Sequence, residues 1–385
     1  MRFFLNKFSL VVFLMFFSGK TVHAQNFQKE LDHLFNEVTA SPEEHFNGVA
    51  LVAAHGEIIY QNAKGFSDIG AQKINTIHSR FQLASLSKVF TATAVMQLAE
   101  KGSLNLNDSF VKYFPSFPYP TITIRQLLSH TSGLPDFKDI YAEKSGHPLN
   151  NSDMIPAVIS YGKLVAPPST RWYYSSVGYA LLANLVEKIS GLSFAVYVNE
   201  HICKPAGMLH SYVLSPYEIH PDSLRAICYM PAGPGPLTDN DSVRTELASP
   251  WQTIVGPGLM VSSAEDLLLF SESLFNNVIL SAASQAEMYT PVKLSDGKFA
   301  ELSHAPIYAG LGWGIDIDNT AGTIVSHNGG SRGISTILLR DLQRKQTVIV
   351  LENSDNMATL SFGVNAMNVL HQKPIRQFGP GPGHP

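Results

Sequence analysis

Charge is scarce in this chain, and cysteine is nearly absent. Charged residues make up 15% of the sequence, with 27 basic against 31 acidic side chains and a net charge of −4. Outside the first residues there is no basic cluster, so the electrostatic footprint of a nucleic-acid-binding protein is missing. Two cysteines in 385 residues, Cys203 and Cys228, exclude a disulfide-dense scaffold. One disulfide and two buried thiols are equally compatible with the sequence. The fourteen histidines show neither a His-Glu-x-x-His pair nor clustered Cys/His spacing, so no metal centre is expected. A Gly-rich phosphate loop and a dinucleotide fingerprint are also lacking, and no cofactor is implied.

What is present begins with the N-terminus. Arg2 and Lys7 supply a positive end, Phe8 to Phe17 an apolar stretch, and Val22-His23-Ala24 a small-residue cleavage site before Gln25. This pattern predicts a signal peptide over 1–24 and a periplasmic or secreted protein. No later segment reaches membrane-spanning length, so no span is expected after signal removal.

Ser85 lies in Phe81-Gln82-Leu83-Ala84-Ser85-Leu86-Ser87-Lys88, where an apolar lead-in gives way to a helical pattern. A Ser-x-x-Lys pair on one helix face lets the amine reach the hydroxyl. Serine is a weak nucleophile until a neighbouring base takes its proton, and an amine in a pocket can do so. The same spacing recurs at Ser109/Lys112, Ser160/Lys163 and Ser295/Lys298. Gly162 and Gly297 turn two of these into loops, and Pro115 cuts the third short. Only Ser85 is followed by a stretch without Gly or Pro, Leu86 through Lys101, with apolar residues at helical spacing. A capping serine with a solvated lysine is the competing reading of any isolated match.

Along the chain, helical spacing over Phe27 to Thr39 precedes a hairpin, Gly48–Ala54 and Ile58–Tyr60, whose first strand reads as buried on both faces. Helical patterns and Pro-rich loops fill about 111–300, including Tyr179 to Ile189 and Ala264 to Leu274. Strand patterns return at Leu311–Ile317, Thr323–Ser326, Ser335–Leu339 and Thr347–Leu351, before a last helix from about Met357 to Leu370. The expected fold is α/β of the α+β type. One antiparallel sheet, drawn from about 45–80 and 308–352, is flanked by helices and interrupted by a mainly helical insert. A single domain over 25–372 would end in a disordered Gly/Pro-rich tail, 373–385.

Three further stretches carry chemistry. Tyr174-Ser175-Ser176 sits on a loop just before a helix, where a phenol can project into a cleft. His327-Asn328-Gly329-Gly330 follows a strand pattern. Leu127-Leu128-Ser129-His130-Thr131-Ser132-Gly133-Leu134-Pro135 is a polar, turn-forming segment. In this order, and together with Gly256-Pro257-Gly258-Leu259-Met260-Val261-Ser262-Ser263 and Gly310-Leu311-Gly312-Trp313-Gly314, they make the chain resemble the serine β-lactamase and penicillin-binding-protein superfamily. The similarity spans roughly 28–370 and leans toward class C β-lactamases, D,D-carboxypeptidases, D-aminopeptidases and related esterases.

That resemblance implies a β-lactamase/transpeptidase-like fold and a set of roles. Ser85 would be the acylated nucleophile, Lys88 its base and Tyr174 the proton-shuttling phenol. The backbone N–H groups of Ser85 and Gly330 would form the oxyanion hole. Ser176, His327, Asn328 and Gly329 would bind substrate. Two positions depart from the pattern. Ser176 stands where the family carries asparagine, and a hydroxyl cannot offer both an amide donor and a carbonyl acceptor. His327 replaces lysine, which removes a permanent cation. Both changes lean away from penicillin turnover. Without the motif context, Tyr174 reads as a core aromatic and His327 as a satisfied strand histidine, while His130 reads as a loop organiser.

The leading expectation is an exported serine hydrolase that cleaves a small ester or peptide amide, with D-amino-acid and cell-wall peptides among the candidates and peptidoglycan among the partners. A true β-lactamase or D,D-carboxypeptidase is the first alternative. A non-catalytic cell-wall or β-lactam binding module of the same fold is the second.

Overall fold

A computed structural model describes residues 27–40, 46–140, 150–214, 222–231, 242–244, 253–302, 306–318, 322–354 and 358–377. The expected signal peptide, 1–24, lies outside the described residues, as does the tail from 378 onward; 373–377 form no regular element.

Helix α1 covers 27–40. The chain then forms the hairpin β1 (Gly48–Ala54) and β2 (Glu57–Lys64). His55 (φ 52°) and Gly56 (φ 79°) occupy its turn, both in the left-handed region that a tight two-residue hairpin requires. The other strands of the main sheet come from the far end of the chain: β3 (Glu301–Leu302), β4 (Ile307–Ala309), β5 (Gly314–Asp318), β6 (Gly322–Ser331), β7 (Ile334–Asp341) and β8 (Gln346–Glu352). Their spatial order is β3-β4-β5-β6-β7-β8-β1-β2. The N-terminal hairpin joins the C-terminal strands through antiparallel β1–β8 pairing, Gly48 opposite Glu352 and Ala54 opposite Gln346.

The alternation of side chains along a strand explains why β1 is apolar throughout. Val49, Leu51 and Ala53 enter the core on one face, with α2 (Lys88–Glu100), α3 (Ser176–Ser190) and α4 (Ala264–Phe275). Ala50 and Val52 enter a second core on the opposite face, with α1 and the last helix, α5 (Ala358–Leu370). Phe35 of α1 meets Phe362 of α5 edge to face at 5.5 Å. The two outer helices thus cover one side of the sheet, and the helical region covers the other. Among the described residues, no single helix is long and apolar enough to cross a membrane.

Two local readings are corrected. The strand expected from Leu311 begins only at Gly314. The preceding backbone turns away from the sheet at Gly312 (φ 84°), and Leu311 and Gly312 donate their N–H groups to the Met288 and Leu128 carbonyls instead. Ser85 does not lie in the first α-helical turn. It sits in a 3₁₀ turn, Ala84–Ser87, and α2 starts at Lys88. The thiols of Cys203 and Cys228 are both buried and are not joined to each other.

Candidate active site

The turn that carries Ser85 is fixed by three hydrogen bonds from two sides. Leu83 N–H donates to the Met260 carbonyl at 2.8 Å, and the Met260 N–H donates to Ser87 Oγ at 3.1 Å. From the sheet, Thr336 Oγ1 donates to the Leu83 carbonyl at 2.9 Å. Between these ties Ala84 is held at φ 45°, a left-handed conformation that costs about 1–3 kcal/mol for a residue other than glycine. The strained turn leaves Ser85 partly exposed at the head of α2, while Lys88, one turn on, is completely buried.

Lys88 Nζ lies 3.1 Å from Ser85 Oγ and donates to the Pro257 carbonyl at 3.0 Å. Tyr174 OH donates to the same Ser85 Oγ at 2.7 Å. The amine also sits 4.8 Å from the centre of the Tyr174 ring and 5.6 Å from that of Tyr179. A hydroxyl flanked by an amine and a phenol within hydrogen-bonding distance has two routes for its proton.

His130 stands directly behind this pair. Its ring stacks on Tyr174 with centroids 4.5 Å apart and an interplanar angle of 29°, and lies 5.0 Å from the ring of Tyr179. Its Nδ1 accepts the Ser175 N–H at 3.1 Å, so the proton of the neutral ring must be on Nε2. That Nε2 is buried and has no partner. Burial, the Lys88 charge and His327 together push the His130 imidazole well below the usual histidine range. His130 organises the loop, as the sequence reading expects, by accepting the Tyr173 and Ser175 N–H groups, and it is also a neutral plate against the candidate proton shuttle. Its backbone is left-handed, φ 57°.

Strand β6 closes the site. Gly329 has no alternative there: a Cβ would run into the Leu83 carbonyl oxygen and the Thr336 hydroxyl and lie 3.0 Å from Leu86 N. This close approach brings β6 against the Ser85 turn. At Gly330, by contrast, an added Cβ would meet nothing within 4 Å. His327 shares the inner face with Gly329. Its Nδ1 lies 2.6 Å from the Asn328 carbonyl oxygen, which can only accept, so Nδ1 carries the proton. Burial first, then the Lys88 charge, lowers the imidazole to about 3. His327 therefore presents the lone pair of a neutral Nε2 and no positive charge.

Two expected binding residues stand apart from the serine. Strand alternation sends the Asn328 side chain to the face opposite His327 and Gly329. Ser176 begins α3, where its N–H donates to Asp136 Oδ1 at 2.7 Å. Among the described residues, no hydrogen bond joins Ser176 to Ser85, Lys88 or Tyr174. Pro257 and Asp136 are contributors that motif reading missed. The first acts through a backbone carbonyl, and the second lies on a loop, so neither leaves a side-chain pattern. A cavity of about 630 Å³ opens beside the cluster, with His130, Trp172, Tyr174 and His327 in its wall.

A serine hydroxyl, a buried amine and a phenol within hydrogen-bonding distance are the arrangement of a serine hydrolase. The chain belongs to the beta-lactamase family, whose model matches residues 24–365. It is 34% identical to penicillin-binding protein 4* of Bacillus subtilis over 338 residues, 86% of this chain and 73% of that protein. The penicillin-binding protein of Bacillus halodurans superposes with a TM-score of 0.73 at 25% identity, covering 89% of this chain and 98% of the other. EstCE1, described as a hydrolase with promiscuous acyltransferase activity, shares the fold with a TM-score of 0.76 at 21% identity, covering 91% of this chain and all of that one (100%).

Proposed function

We propose that this protein is an exported serine hydrolase that cleaves a small ester or peptide amide through an acyl-enzyme on Ser85. The observation that carries the reading is the hydrogen-bonded set of Ser85 Oγ, Lys88 Nζ and Tyr174 OH. In acylation, the unprotonated Lys88 amine takes the Ser85 proton as Oγ attacks the carbonyl carbon. The oxyanion accepts hydrogen bonds from the Ser85 and Gly330 N–H groups, each donor being worth about 10²–10³ in rate. Tyr174 gives its phenolic proton to the leaving alcohol or amine and regains one from Lys88. Water then attacks the acyl-enzyme by the reverse sequence.

Substrate preference follows from the two departures. A neutral His327 accepts a hydrogen bond but does not pair with a substrate carboxylate, and Ser176 lacks the amide of the family asparagine. Both disfavour β-lactam turnover and suit an ester, or an amide whose acyl half carries a donor such as a free amino group. The similarity to penicillin-binding protein 4* favours a second reading, a D,D-peptidase acting on cell-wall peptides. The N-terminal pattern supports export, with periplasmic or secreted placement. The test is intact-mass analysis after a fluorophosphonate probe. A single adduct, absent from Ser85→Ala, is expected; equal labelling of both proteins would exclude Ser85 as the nucleophile.

A further inference from the structure

The cavity beside Ser85 does not stop at the site. Strand β5 pairs with β6 only from Gly322 to Ser326. Among the described residues, 327–331 therefore have no strand partner on that side. The cavity lining lies on both faces of the sheet around this gap. His130, Trp172, Tyr174 and His327 wall the Ser85 side. Ile324, Ile337 and Leu339 belong to the opposite face, where Leu360, Val364 and Met367 of α5 complete the wall. Small residues line the passage between them, Gly312, Gly314 and Ser326.

We propose that this cavity is one continuous groove for an alkyl chain on the acyl half of the substrate, running from Tyr174 and His327, which adjoin Ser85 although the serine does not itself line the wall, round the open edge of β6 and on beneath α5. The inference rests on the hydrolase reading above and names its substrate class: esters of medium- to long-chain fatty acids. The carbonyl bound at Gly330 would start at the free strand edge, and the chain attached to it would pass along that edge. Beyond the passage one stretch of the wall is aliphatic, from Ile324, Ile337 and Leu339 to Leu360, Val364 and Met367. Asp316, Asn328, Asn368, Lys373 and Arg376 are the polar and charged residues there apart from Ser326. The aliphatic stretch rewards each added methylene. The volume lies within the 300–1,000 Å³ range of sites that bury a drug-sized ligand.

The experiment measures kcat/KM of the full chain on p-nitrophenyl acetate, butyrate and octanoate, and on variants Val364→Trp and Leu360→Trp, which fill the far part of the groove. Full burial gives about a fourfold gain per methylene, so octanoate should exceed acetate by at least tenfold. The octanoate-to-acetate ratio should then collapse toward one in the tryptophan variants. A flat or falling length profile in the unmodified protein overturns the groove while leaving the hydrolase reading intact, and so does a ratio unchanged in folded variants. Calorimetric binding of octanoate to Ser85→Ala tests the groove without catalysis. Binding lost in Val364→Trp supports it, and no binding in the unfilled protein overturns it. If acetate itself is not hydrolysed, the hydrolase reading fails separately.

Discussion

His327 and His130 are both imidazoles held neutral by their surroundings, and pH exposes the consequence. His327 ionises at about 3 when folded, whereas an unfolded histidine does so near 6.5. Below about 6.5 the unfolded chain therefore binds more protons than the folded one, and stability falls as the pH drops toward 3. His130, shifted in the same direction, adds to that slope. Urea midpoints measured at pH 7 and pH 5 should fall across this interval, and less steeply in His327→Asn. Equal slopes would show that the ring is not held neutral.

His130 also makes a prediction about rate. Asparagine tolerates the left-handed backbone and can accept the Ser175 N–H, but it cannot stack on Tyr174. Phenylalanine can stack but cannot accept. His130→Asn and His130→Phe should each lower kcat on an ester by about 10–100-fold with little change in KM, as expected when a shuttle is displaced by a fraction of an ångström. A rise in KM alone would make the ring a binding surface rather than a positioning residue. The Ser85/Lys88 pairing was legible because helical spacing is written into sequence. The stacking of His130 on Tyr174 was not, because it joins residues well apart in sequence.

Among the elements, β6 shows how a strand can be selected by what it touches. Neither Gly329 nor Gly330 sits at a positive φ, so an alanine at either is decided by space alone. Gly329→Ala would drive a methyl into backbone atoms of the Ser85 turn and should cost about 1–3 kcal/mol or more, with activity lost. Gly330→Ala meets nothing within 4 Å and keeps the N–H, so the urea midpoint should stay near that of the parent. If both variants lose equal stability, the close approach is not what selects glycine at Gly329. Sequence alternation located β7, β8 and the start of β6 within two residues, but it ended β6 at Ser326, whereas pairing with β7 carries the strand through His327 and both glycines to Ser331. It placed the start of β5 too early, because Leu311 is apolar for a different reason: it packs into the helical core.

On the scale of the whole molecule, two hydrophobic cores share one sheet, and neither cysteine links them. Burial pushes the Cys203 thiol up to about 12, so it is almost never the reactive thiolate. A thiol reagent should find neither cysteine in the native protein and both after denaturation; reductant should leave the melting temperature unchanged. The fold class was readable from strand patterns at the two ends of the chain. Which helices would cover which face was not, because that depends on contacts between segments far apart in sequence.

The same wiring sets a timetable. Asn47, at the mouth of β1, donates its N–H to Glu352, 305 residues further on. A ribosome adding about 5–20 residues per second needs about 15–60 s to bridge that interval. For all that time the apolar strand β1 has no neighbour on its β8 side. Nascent β1 and β2 are therefore a natural client for a holding chaperone, and the sheet cannot close until β8 has been made.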